Sequence, residues 1–257
     1  MNRINNLFQN NPKNLLSIYF CAGCPTLNDT TNVISTLERN GVHMIEIGIP
    51  FSDPMADGVV IQNAATQALR NGMSLRLLFE QLREIRNHVH IPLILMGYLN
   101  PIMQFGFEPF CQKCAECGID GIIIPDLPFK DYMESYKSIA DRYDIRIVML
   151  ITPETSETRI REIDAHTNGF IYMVSSAATT GVQKDFDAQK QAYFKKIQDM
   201  HLHNPCMVGF GIHNKQTFDA ACAHSSGAII GSRFVSLLNK CEGDAEKAIG
   251  LLKEGLK

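Results

Sequence analysis

The sequence predicts an α/β fold, a single (β/α)8 barrel of parallel strands with an extra N-terminal helix, spanning residues 1–257 as one domain. Three observations carry that expectation. Short apolar runs alternate with helical patterns along the whole chain, the signature of right-handed βαβ crossovers and a parallel sheet. The runs are near-continuously apolar, as strands covered on both faces are. The length of 257 residues, 45 % of them hydrophobic, suits one such barrel, and no Pro/Gly/Ser-rich linker or block of charge divides it. An open doubly wound sheet is the alternative. The lack of G-x-G-x-x-G after the first strand counts against its dinucleotide-binding form.

The elements follow in order. Residues 18–22 form the first strand; Pro25 and Asn28 mark a turn, and Val33, Ile34 and Leu37 fall at helical spacing until Asn40-Gly41 stops the helix. The second strand covers 42–48. A long loop and a helix follow, with Gly72 as its stop signal. A helix over 75–87 leads to the third strand, 91–96. The helix 108–117 ends at Gly118, and the fourth strand, 121–124, closes at Pro125. Helix 132–143 precedes the fifth strand, 145–151, and helix 157–165 the sixth, 170–174. Helix 189–200 precedes the seventh strand, 206–209, and helix 215–223 the eighth, 228–230. A short helical run at 233–238 and a helix over 244–256 close the chain.

Composition limits the function classes. The formal charge of −3 gives no reason to expect nucleic acid or an anionic membrane as partner, so any phosphate site must be local. The start, Met1-Asn2-Arg3-Ile4-Asn5-Asn6, lacks the apolar run of a signal peptide, and no stretch is long and apolar enough to span a bilayer; a soluble cytoplasmic protein is expected. The eight cysteines then read as free thiols. Cys111, Cys114 and Cys117 have the spacing of part of an iron–sulfur run, but a fourth ligand at matching spacing is missing; at helical steps of three they read as a core face. Cys21 and Cys24 make a lone C-x-x-C pair, a weak redox signal. The histidines show no tight metal-ligand spacing, so no metal is expected.

In such a barrel the chemistry sits at the carboxyl ends of the strands and in the loops after them. That rule selects Glu46-Ile47-Gly48-Ile49-Pro50-Phe51-Ser52-Asp53-Pro54-Met55-Ala56-Asp57-Gly58. Glu46 lies in the second strand among Met44, Ile45 and Ile47. Either it faces the barrel interior, where burial lifts a carboxyl pKa toward neutrality as acid/base work requires, or it pairs with a buried cation or a barrel hydrogen bond. Asp57 follows two prolines that stiffen the loop, and is either a second acid at the site or an N-cap for the helix starting near Val59. Asp53 reads as an ordinary turn residue.

A second constellation is a pair of glycine turns, Gly209-Phe210-Gly211 after the seventh strand and Gly231-Ser232 after the eighth. Glycine lets backbone N–H groups approach an anion, and a helix N-terminus adds favourable partial charge; after the last two strands this is the usual barrel phosphate site. Ser232 can add a hydroxyl donor. The bland alternative is two plain turns. The third is the small, uncharged run Ser175-Ser176-Ala177-Ala178-Thr179-Thr180-Gly181, a candidate mobile lid or an ordinary loop, with Gly181 offering an N–H to phosphate. Tyr98, Asn100 and Asp126 lie at the rim and Tyr172 on the sixth strand, where aromatics either wall a flat apolar ligand or simply pack.

These segments, in this order, resemble the tryptophan synthase α subunit family, the run from Glu46 to Gly58 most specifically. Supporting matches span most of the chain: Ala22-Gly23-Cys24-Pro25, Ile61-Gln62-Asn63-Ala64, Met96-Gly97-Tyr98-Leu99-Asn100-Pro101, Gly121 to Pro128, Gly169-Phe170-Ile171-Tyr172, Thr180-Gly181, Gly209-Phe210-Gly211-Ile212 and Gly231-Ser232. The resemblance implies a TIM barrel lyase that cleaves indole-3-glycerol phosphate to indole and glyceraldehyde 3-phosphate without cofactor. It implies a β subunit as partner in an α2β2 heterotetramer, docking on the catalytic rim near Asp53, Pro54, Asn100 and Pro128. It implies Glu46 as acid/base, Asp57 as acceptor of the indole N–H, Tyr98 and Tyr172 at the substrate, Thr180 as a lid residue meeting the aspartate, and Gly181, Gly211, Gly231 and Ser232 at the phosphate. Three departures stand out: Ser176 where the family often has a lid arginine, Val59-Val60 where it often has Pro-Thr, and Cys21 in place of a frequent threonine. Another phosphate-binding barrel isomerase and a non-catalytic binding subunit are the alternatives that the sequence leaves open.

Overall fold

The computed structural model describes residues 1–10, 12–175, 188–209 and 211–257. Helix α1 (Arg3–Gln9) precedes β1 (Leu15–Cys21), α2 (Thr30–Arg39), β2 (Met44–Gly48), α3 (Val59–Arg70), α4 (Leu75–Leu82) and β3 (Leu93–Met96). Next come α5 (Leu99–Phe105), α6 (Phe107–Glu116), β4 (Gly121–Ile123), and α7 (Phe129–Asp131), which continues through a π-helical stretch (Tyr132–Tyr136) into α8 (Lys137–Arg142). The second half runs β5 (Arg146–Val148), β6 (Leu150–Ile151), α9 (Glu157–His166), β7 (Ile171–Val174), α10 (Ala188–Asp199), β8 (Cys206–Gly209), α11 (Lys215–Cys222), β9 (Gly227–Ile230), α12 (Ser232–Lys240) and α13 (Ala245–Glu254).

The strands are parallel and lie in the order β5-β4-β3-β2-β1-β9-β8-β7-β6. The two ends of that sheet are consecutive in sequence. β5 pairs with β4, β6 pairs with β7, and the Tyr172 N–H donates to the carbonyl of Met149 between them at 3.0 Å. The fifth strand of the barrel is therefore one run broken at Met149, and it joins the two sheet ends into a ring. The expected (β/α)8 barrel is what the chain forms.

Two apolar layers hold it. Side chains pointing outward from the strands pack under the helices, among them Ile18, Phe20, Ile45, Ile47, Leu93 and Leu95. Those pointing inward form a separate cluster that includes Leu15, Met44, Ile94, Met96, Ile123, Val148, Tyr172, Val174, Met207 and Ile229. This is the two-residue period of a strand read on both faces of a closed sheet. The N-terminal helix plugs the amino end of the barrel: Ile4 is fully buried in the inner cluster, and Leu7 and Phe8 pack against it, Phe8 5.7 Å from Phe170 between ring centroids. Asn2 both caps α1, accepting from the Ile4 N–H, and donates to the carbonyls of Asp120 and Asp144. Buried Asp120 ties the same end together, accepting from Arg86 at 2.6 Å, from Arg3 at 3.0 Å and from the Leu93 N–H at 2.9 Å.

The sequence expectations miss local features. They include no helix at α5 (Leu99–Phe105); Pro101 falls in its first turn, where its missing N–H costs nothing. The helix expected over 75–87 is α4 followed by a separate 3-10 turn (Ile85–Asn87).

Candidate functional site

Glu46 sits at the middle of β2, wholly buried, opposite Tyr19 of β1 in the sheet register. Ser17, two residues before Tyr19 on the same inward face, donates its hydroxyl to Glu46 Oε1 at 3.2 Å. Among the described residues Oε2 has no hydrogen-bond partner. Loss of solvation pushes this carboxyl up to about 8, with the Ser17 hydrogen bond opposing. At neutral pH Glu46 is then mostly protonated and can give or take a proton within the working range.

Asp57 closes the loop that leaves β2, and it is nearly buried. The cap of α3 is Gly58, with no side-chain capping bond, so the capping alternative for Asp57 does not hold. Its Oδ2 instead accepts from the Tyr98 hydroxyl at 2.9 Å, and that same phenol oxygen accepts from the Ala56 N–H at 2.9 Å. Burial raises Asp57 to about 6, and the Tyr98 hydrogen bond holds it down from going further. Two acids in one site therefore differ: near pH 7 Asp57 is mostly ionised and Glu46 mostly protonated, the separation that acid and electrostatic roles require.

Both acids line one cavity at the carboxyl end of the barrel, with Tyr19, Met96, Tyr172 and Ile229 around them. The small strand ends explain how two tyrosines fit. A Cβ on Gly48 would lie 2.2 Å from the Tyr19 hydroxyl, and one on Gly209 2.0 Å from that of Tyr172, so each phenol lies across a neighbouring glycine. Tyr98, by contrast, is not a wall of this cavity; its hydroxyl is spent on the Asp57 loop.

The other side of the cavity is formed by Gly211, Ile212 and His213 after β8, and by Gly231, Ser232, Arg233 and Ser236 after β9. Gly211 adopts φ +76°, a left-handed conformation natural to glycine. Gly231 is the N-cap of the nine-residue α12 and has no side chain to cap it, so the first-turn N–H groups of α12 lack a side-chain acceptor there. Such an end favours an anion.

The chain's likeness to known proteins decides its kinship. The family model described as tryptophan synthase alpha chain matches residues 4–255. The chain is 74 % identical to the tryptophan synthase alpha chain of Bacteroides thetaiotaomicron over 257 residues, all of both chains. It is 75 % identical to that of Bacteroides fragilis over 253 residues, 98 % of this chain and 96 % of the other. The chain belongs to the tryptophan synthase alpha chain family. In structure it superposes on the crystal structure of the tryptophan synthase alpha chain from Legionella pneumophila with a TM-score of 0.88 at 31 % identity, covering 100 % of this chain and 96 % of that one.

Against the expectations drawn for a tryptophan synthase alpha chain, the structure brings Glu46, Asp57, Tyr172, Gly211, Gly231 and Ser232 to one cavity and sets Tyr98 beside Asp57. Thr180, Gly181 and Ser176 lie outside the described residues, and with them most of the expected lid. Asp126 and Asn100 are exposed at the rim; Asp126 accepts from the Leu99 N–H at the start of α5. Sequence reasoning missed Tyr19, Arg233 and His213 as lining residues. An aromatic in an apolar strand reads as core, and a charge in a helix as solvated surface; the available signal was that Tyr19 shares its strand face with Ser17, the one other polar position there.

The cysteines take no part. Cys111 and Cys114 on α6 and Cys117 at its C-cap are buried with free thiols, and Cys21 and Cys24 are also buried and free. Burial raises all five thiols, Cys24 to about 11, against reactivity. Among the described residues no group of His, Cys, Asp and Glu side chains could hold a metal ion, and no helix is long and apolar enough to cross a membrane.

Proposed function

We propose that residues 1–257 act as a single barrel domain that cleaves indole-3-glycerol phosphate to indole and glyceraldehyde 3-phosphate. The observation that carries this reading is the meeting of Glu46, raised to about 8, and Asp57, raised to about 6, in one cavity that the uncapped start of α12 also lines.

The chemistry follows from that placement. Breaking the bond between indole C3 and the glycerol carbon needs a proton at C3, so that the ring can leave, and loss of a proton from the hydroxyl on that carbon, so that an aldehyde forms. Glu46 gives the first proton and, as its carboxylate, takes the second, a sequence open to a carboxyl poised near neutrality. Asp57 accepts a hydrogen bond from the indole N–H and offsets the positive charge that protonation at C3 places on the ring. Tyr98 acts through Asp57, fixing its carboxylate. Tyr172 walls the ring, with Thr180 as the lid residue that meets Asp57. Gly181, Gly211, Gly231 and Ser232 hold the phosphate, and binding there positions the distant reacting bond. The reaction needs no metal or organic cofactor. The chain works in the cytoplasm with a β subunit that consumes indole, as an α2β2 heterotetramer.

The test is release of indole from indole-3-glycerol phosphate by the full chain, with and without a β subunit. Turnover that is lost in Glu46→Gln, with the fold intact by circular dichroism, is the expected result. A wild-type chain that leaves the substrate whole in both settings refutes the proposal.

A further inference from the structure

We propose that the Arg233 guanidinium is a specificity-determining partner of the substrate's phosphate, supplying the full positive charge that the backbone turns lack. The proposal deepens the reading given above and rests on it.

The cavity is polarised. Its two acids, Glu46 and Asp57, come from β2 and the loop after it. Its basic side chains, Arg233 and His213, come from the segments after β9 and β8. In the barrel ring β2 and β9 are separated by β1 alone, and Tyr19 of β1 stands between them: it is in register with Glu46 on one side, and its nearest ring carbon would lie 3.4 Å from a Cβ on Gly231 on the other. A ligand seated in this cavity with an anionic end is driven to lay that end on α12, since the opposite orientation sets it against Asp57.

Backbone groups alone do not balance such a ligand. A phosphomonoester carries about −1.5 to −2 at neutral pH, while a helix N-terminus offers roughly half a positive charge. Arg233 stands at the second position of α12, next to Ser232, and lines the cavity mouth. It is exposed, and among the described residues no acid pairs with it and no acceptor takes its N–H groups. The first turn of α12 contains no acidic residue that would compete. His213 is different: its Nδ1 is hydrogen-bonded to the Gly211 carbonyl at 2.9 Å, so it is fixed within its own turn. The guanidinium is thus the lining group with permanent charge and unspent donors, in the planar fork that matches phosphate oxygens.

Contact with a group remote from the reacting bond stabilises ground and transition states alike, so it appears in KM rather than kcat. In the full-length chain with its β subunit, R233A is expected to raise KM for indole-3-glycerol phosphate about 5- to 20-fold with kcat within about twofold. R233K is expected to recover most of the loss, because a point charge also binds phosphate. The KM of wild type is expected to rise more steeply with ionic strength than that of R233A. A second measurement needs no turnover: inorganic phosphate raises the wild-type Tm by mass action, and R233A loses most of that rise while keeping its phosphate-free Tm. If phosphate protects wild type and not R233A but no indole is released, the reaction fails and the anion grip stands. KM and phosphate-induced Tm rise in R233A equal to wild type overturn the assignment.

Discussion

A carboxyl placed at the centre of a barrel strand is costly to ionise, and Glu46 shows how that cost is turned to use. In the proposed mechanism its proton, held up to about 8, is expected to set the alkaline limb of activity, and the Asp57 proton, lost near 6, the acid limb. A bell in kcat/KM between roughly these values is expected, and Asp57→Asn should flatten the acid side along with a severe loss of rate; an unaltered profile in that variant returns Asp57 to a passive part. Stability carries the same signature with a definite sign. A folded-state pKa raised from 4.5 means that the stabilising contribution of Glu46 is whole below pH 4.5 and is lost as pH rises through about 8. Glu46→Gln should therefore unfold at a Tm that falls less between pH 5 and 8 than wild type does, measured by calorimetry in both. Tyr98→Phe removes the hydroxyl that holds Asp57 down, so the acid limb should move to higher pH; a limb that stays in place would show that Tyr98 does not govern that proton. Both acids were legible in the sequence because charge inside an apolar strand and acid beside rigid prolines are unusual. Tyr98's role was not, since the fold alone brings residue 98 against residue 57.

The elements divide by end of the barrel. The carboxyl ends of β2, β8 and β9 contribute to the cavity, while α1 and the Asp120 cluster close the amino end. Asp120→Ala leaves Arg86, whose side chain is only 16 % exposed, without its acid and frees the Leu93 N–H from its acceptor. Loss of one partner from such a buried pair costs about 3–5 kcal/mol. Urea unfolding should show that loss, while kcat/KM of the folded variant stays close to wild type; a fall in kcat out of proportion to the folded fraction would mean that the two ends communicate. The alternation of apolar runs with helical patterns made the order of strands and helices legible, because each strand is buried on both faces and each helix on one. Strand breaks and short helices were not. Nothing in the run of residues 145–151 marks Met149 as the place where pairing passes from β4 to β7, for that is set by closure of the ring.

At the scale of the whole molecule, apolar exposure gathers on the catalytic end. Apart from Met1, the three most exposed large apolar side chains among the described residues are Met55 at 86 %, Val59 at 67 % and Met103 at 55 %. Met55 and Val59 follow β2, as does the exposed Asp53, and Met103 lies on α5 just after β3, on the same helix as exposed Asn100. Exposed apolar side chains gathered on one end mark a surface that associates, and an apolar product such as indole is best passed on without crossing water. The proposed β subunit should then cover this rim. Met103 belongs neither to the cavity nor to the loop that carries Asp57, so Met103→Glu separates docking from chemistry. Weakening of β-subunit binding by about tenfold or more is expected, the cost of setting a charge into the middle of an apolar contact, read by analytical ultracentrifugation of the mixed subunits. Indole release by the lone variant should match wild type. Undiminished association in Met103→Glu would place the partner elsewhere on the molecule, and the apolar side chains at the cavity mouth would need another explanation.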